Sequence, residues 1–171
     1  MTENARSLAV DWVRRVYLAA LAVRHVLPLW EKHFREDRQP HDMLEIAQAY
    51  VHGDVAYDMA RRANEKGWVH ADNVSAICFD RRDGPGQRAA FVCYAASKAV
   101  ATALYDEMLA LHRLECACEG DIDPYELDAA SYAAAAFAGG HVKAPETSKD
   151  RRREFWRWYL EAAVPLARDA A

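Results

Sequence analysis

The sequence predicts an all-α fold, a single-domain bundle or array of about six or seven helices over residues 1–171. Three observations carry that prediction. Apolar residues recur at helical spacing along most of the chain. Alanine, the strongest helix former, dominates the middle. Only seven glycines and few β-branched runs leave little material for a sheet.

The first helix is expected from about Asn4 to Leu27. Leu8, Trp12, Val16, Ala19, Val23 and Leu27 lie on one stripe, with Asp11, Arg14, Arg15 and Arg24 off it. Pro28 either kinks this helix or opens a new turn bearing Trp30 and Phe34. Glu36 to Pro40 is a polar break. A second helix is expected to start near Asp42, because Asp42 and Glu45 have capping-box spacing. Gly53 should end it, and Asp54 should cap a third helix striped by Val55, Met59, Ala60 and Ala63. Gly67 reads as the end of that helix. Trp68 to Phe79 reads either as a short helix capped by Asp72 or as an extended piece at Ile77–Phe79. Asp80 to Gly86 reads as a loop.

From Gln87 to His112 the pattern is again helical, with Val92, Ala95, Ala96, Ala99, Ala103 and Leu104 inward. The small residues there imply close helix–helix approach. Asp123-Pro124-Tyr125-Glu126 is a helix start, and Gly139-Gly140 ends that helix. Thr147 or Ser148 should cap the last helix. That helix is aromatic-rich, with Phe155, Trp156, Trp158 and Tyr159 in five positions, and Pro165 should kink it. Two stripes are expected to be covered. One is Phe155, Tyr159, Ala162 and Leu166; the other is Trp156, Leu160 and Ala163.

Two segments share a Pro-Leu step: Arg24-His25-Val26-Leu27-Pro28-Leu29-Trp30-Glu31 and Trp156 to Leu166. With Ile46, Ala47, Ala49, Gly53 and Asp54 between them, the chain resembles a predominantly helical family of immunity proteins from bacterial polymorphic toxin systems. The resemblance implies a protein that binds and blocks a cognate toxin and performs no catalysis. Between about Trp68 and Arg88 the alanine-rich pattern of that family breaks.

Composition narrows the function classes. The net charge of −4 gives no electrostatic reason to bind nucleic acid. The longest early apolar run, Val16 to Val23, is too short to span a bilayer, and no basic-then-apolar leader precedes it. A cytoplasmic protein is expected, with Cys78, Cys93, Cys116 and Cys118 as thiols.

The candidate contact residues are charged. Glu115, Glu119, Asp121, Asp123, Glu126 and Asp128 fall close together with no Lys or Arg among them. Asp123 and Glu126 serve a helix start. Glu115, Glu119, Asp121 and Asp128 are then a candidate docking patch for a basic toxin, which a nuclease would supply. Arg81 and Arg82, beside a Gly-Pro-Gly turn, are the second candidate. Arg151-Arg152-Arg153 reads as a solvated first turn.

A catalytic alternative rests on His41-Asp42, the residue pair of helical metal-dependent hydrolases, with His25, His33 and Asp54 as further ligands on paper. His112, Cys116 and Cys118 form a local cluster without the second pair a zinc site needs. No cofactor or metal is therefore expected. A third reading is a helical scaffold with a tryptophan-lined ligand pocket.

Overall fold

The computed structural model describes the backbone of residues 3–113 and 127–170, and the side chains of residues 10–105 and 127–170. Among the described residues all regular structure is helical. The elements are α1 (Glu3–His33), α2 (Gln39–His52), α3 (Tyr57–Asp80), α4 (Gly84–Arg113), α5 (Ala129–Ala138), α6 (Lys149–Trp158), a π-helical turn (Tyr159–Ala163) and α7 (Val164–Asp169). The all-α prediction holds.

Helix α4 is the central element, packed against α1, α2, α3 and α5. Its sequence explains the position. Ala89, Ala90, Val92, Cys93, Ala95, Ala96, Ala99 and Val100 are all buried, so apolar or small groups face outward on nearly every side. Helix α1 lays its stripe along α4. Val16, Ala19, Val23 and Leu27 are buried, and Trp12 donates its indole N–H to Ala103 O at 3.1 Å. α1 runs through Pro28 unbroken, with that proline exposed. The first three residues of a helix are where proline costs nothing; at Pro28 one ladder bond is lost on the solvent side. Trp30 is fully buried, and its indole donates to Asp37 O at 2.7 Å across the turn into α2.

Several caps differ from the sequence reading. α2 begins at Gln39, with Pro40 in its first turn, so Asp42 sits inside the helix and does not cap it. Pro40 fixes a helical φ where no N–H is required, and that moves the start upstream. Ala56, not Asp54, precedes α3. Gly53 ends α2 in the left-handed conformation at φ 81°, as its position implied.

Gly67 does not end a helix. It lies buried inside α3, which continues unbroken to Asp80, so Trp68–Phe79 is helical. A Cβ at Gly67 would stand 2.7 Å from Met43 Cε and 2.8 Å from Ser97 Oγ. Its job is close approach to α2 and α4, not a turn. The expected loop also shrinks: Arg81–Asp83 makes the turn and α4 starts at Gly84. Asp83 accepts the Gly86 N–H at 3.0 Å, giving α4 its N-terminal cap.

Asp128 caps α5 by accepting the Ser131 N–H at 2.6 Å, and Gly139 closes it at φ 97°. The start expected at Asp123–Glu126 lies outside the described residues. Ser148, not Thr147, caps α6, accepting from Arg151 N at 3.3 Å.

The last helix departs most from its two expected stripes. Phe155 is fully buried, but Leu160 is 65% and Leu166 55% exposed. Ala163 of the second stripe is buried as expected, and Ala167 is buried in place of Leu166. The π-helical turn explains the shift. It widens the ladder by one residue, with Val164 N–H bonding Tyr159 O, and the inward set after it moves one position along.

Candidate functional site

A cavity of about 1100 Å³ opens where the C-terminal ends of α1 and α3 meet the start of α4 and the end of α5. One wall is aromatic. Tyr94 and Tyr132 stack with centroids 5.3 Å apart, and Phe91 meets His141 edge-on at 4.8 Å. Tyr94 is fixed from behind, because its hydroxyl donates to Asp72 at 2.6 Å. Burial, then that bond to a carboxylate, pushes the Tyr94 phenol well up. The wall is therefore preset before any partner arrives.

The other wall is polar and mostly cationic, with Lys32, His33, Gln87 and Arg88 against Glu146. Arg88 donates to Ala136 O at 2.6 Å and to Phe137 O at 3.1 Å, tying off the last carbonyls of α5. Its pKa is lowered by burial, then by the nearby Arg151 charge. His33 meets Asp83 at 2.7 Å, joining α1 to the α3–α4 turn. The Asp83 carboxyl is held below its usual range by the Gly86 N–H and by His33, against an opposing desolvation. His141 is held below the usual imidazole range by burial, then by the Arg152 charge.

At the mouth stands Phe79, 70% exposed although it is a large apolar ring. Arg81 and Arg82 follow it on the turn and are both exposed, and Arg82 takes a left-handed φ of 54°. These are the two arginines singled out from sequence. Phe79 was not, because a phenylalanine in an uncertain segment reads as core. The cavity itself had no local signal, since its lining comes from four separated stretches of chain.

The remaining candidates are scattered. Glu115, Glu119 and Asp121 lie outside the described residues. Asp128 is half-buried, with its carboxylate engaged as the α5 cap. Cys78 and Cys93 are buried free thiols, the latter pushed well up by burial; Cys116 and Cys118 lie outside the described residues.

The His41-Asp42 pair does not assemble a metal set. His41 meets Glu31 at 3.0 Å, while Asp42 is exposed and faces Arg38 at 3.7 Å. His25 is elsewhere, stacked on Trp158 at 3.7 Å, and Asp54 is exposed. Among the described residues no three His, Cys, Asp or Glu side chains gather as ligands. Also among them, no helix is long and apolar enough to cross a membrane.

These features define an all-helical protein with a preformed hollow, an aromatic wall and an exposed Phe-Arg-Arg lip. The family model described as immunity protein Imm5 matches residues 1–166. The chain belongs to that family of immunity proteins from toxin systems. Among curated proteins, none matches it.

Proposed function

We propose that this protein neutralises a cognate toxin in the cytoplasm by binding it and covering its active site, without catalysis of its own. Family membership over nearly the whole chain supports the class of function. The observation that carries the mode of action is Phe79, 70% exposed at the mouth of a large preformed cavity and flanked by Arg81 and Arg82. An exposed aromatic ring beside arginines is the composition of an interface anchor. The acidic residues Glu115, Glu119, Asp121 and Asp128 are proposed as a steering patch for basic parts of the toxin.

The test is a titration of the cognate toxin. Under occlusion the toxin's activity falls linearly and reaches zero at equimolar protein. Complete inactivation at a small fraction of one equivalent would mean catalysis and overturn the reading. Phe79→Ala should slow nothing in association but raise the dissociation rate at least about tenfold. Glu119→Lys with Asp121→Lys should do the reverse, lowering the association rate constant and flattening its salt dependence. Identical association rates at low and high salt would remove the acidic residues from the interface.

A further inference from the structure

The last helix leaves a second surface unexplained by its role in the core. Within the π-helical turn Leu160 is 65% exposed, and Val142 of the preceding loop is 39% exposed. With Trp156 they border a groove of about 540 Å³. Trp156 is rigid there, meeting Phe155 and Tyr159 edge-on, each at 5.4 Å. The loop that carries Val142 is pinned as well. Arg152 donates to Gly140 O at 2.6 Å, Thr147 donates to Gly140 O at 3.1 Å, and Ser148 N–H bonds Ala138 O at 2.9 Å.

Charge selects the occupant. Lys149, Arg152, Arg153 and Arg157 line the groove, and no carboxylate does. On a chain of net charge −4 this is a local reversal of sign. A polyanion such as nucleic acid would meet the cations but leave the apolar strip uncovered, and would be repelled by the rest of the molecule. An acidic segment with one or two large apolar side chains satisfies both halves.

We propose that this groove docks an acidic, amphipathic segment of the toxin, a contact separate from the Phe79 lip. The inference rests on the toxin-binding reading for the identity of its partner.

Two variants test it: Arg153→Glu with Arg157→Glu, and Leu160→Asp. All three side chains are exposed, so unchanged helicity and an unchanged urea midpoint are expected. Arg152 is left intact because it holds the loop. The first probe is a short fluorescent peptide with Glu and Leu at helical spacing. It should bind the wild type, weaken with salt, and bind each variant at least about tenfold less well. Equal binding to wild type and variants, or no binding to either, overturns the inference. So does wild-type protein that ignores the peptide yet binds phosphatidylglycerol vesicles or duplex DNA. The second probe is the cognate toxin itself. A wild type that neutralises it, with groove variants of unchanged Kd, sinks the groove and leaves the function standing. A wild type that fails to neutralise it sinks the function instead, whatever the peptide does.

Discussion

Replacing Gly67 by alanine sets two well-measured effects against each other. Gly67 sits in the interior of α3 with no positive φ, so helix propensity alone favours alanine by about 1 kcal/mol. The opposing effect is steric. A Cβ there would lie 2.7 Å from Met43 Cε, 2.8 Å from Met43 Sδ and 2.8 Å from Ser97 Oγ. Comfortable contact between such atoms begins near about 3.5 Å, so the overlap is most of an ångström on two neighbours at once. Met43 is flexible in principle, but it is 1% exposed and enclosed by the core; Ser97 is 0% exposed on the facing helix. Overpacking of this kind costs about 1–3 kcal/mol. The steric cost outweighs the propensity gain, and a net loss of up to about 2 kcal/mol is expected.

The assay is the urea midpoint, with Gly84→Ala as control. A Cβ at Gly84 meets nothing within 4 Å, so that variant should match or slightly exceed the wild type. In a Met43→Ala background the added methyl enters vacated space. The Gly67→Ala penalty should then shrink by at least about 0.5 kcal/mol. If Gly67→Ala alone stabilises the protein, α3 does not approach α2 and α4 this closely, and the packing argument fails.

Two further outcomes follow from the last helix and its surroundings. Phe155→Ala, at 0% exposure and ringed by His25, Phe137, Trp156, Trp158 and Tyr159, should cost about 3–5 kcal/mol. Trp158→Ala should cost clearly less, because Trp158 is only half-buried, and equal midpoints would contradict that ranking. The pH dependence comes from His25 and His141, both held below 6.5 chiefly by burial, with Glu154 opposing at His25 and Glu146 at His141. The unfolded chain then binds more protons than the folded one just below that value. Their contribution is intact above pH 6.5 and is lost as the pH falls from there toward the depressed folded values. His25→Phe, which keeps a ring against Trp158, should show a smaller loss between pH 7.5 and pH 5.5 than the wild type. An equal or larger loss in the variant would refute the assignment to His25.

How much of this was legible in the sequence depended on the range of the interaction that decides it. Gly53 and Gly139 were readable as helix ends, because a left-handed C-terminal residue is a local requirement. The inward set of α4 was readable because buried alanines and valines repeat at helical spacing. Gly67 was not, since its cause lies on two other helices. Asp42 and Asp54 had the right chemistry for caps, but Pro40 and the path of the chain at Ala56 placed both helix starts elsewhere. The candidate site divides the same way. Arg81 and Arg82 stood out because a Gly-Pro-Gly stretch beside charge has to be near the surface. Phe79 did not, because only the packed fold shows that α3 ends with that ring uncovered.

The π-helical turn joins the misreading of the last helix to its proposed use. A uniform α-helix through Pro165 would keep Phe155, Tyr159, Ala162 and Leu166 on one inward stripe. The widened turn hands the inward role of Leu166 to Ala167, one position along. Small side chains then face the core, so α7 sits close to α1. The larger Leu166 is turned to solvent. Stability alone gives no reason to exchange buried leucine for buried alanine, because burying the larger side chain contributes more. The same turn carries Leu160, exposed in one groove with Arg153 and Arg157. π-helical turns concentrate at functional positions for this reason: they re-aim side chains at a cost in packing. The arrangement is what a partner-binding helix requires, and it is why the groove as a whole, apolar strip and arginines together, is the surface to test.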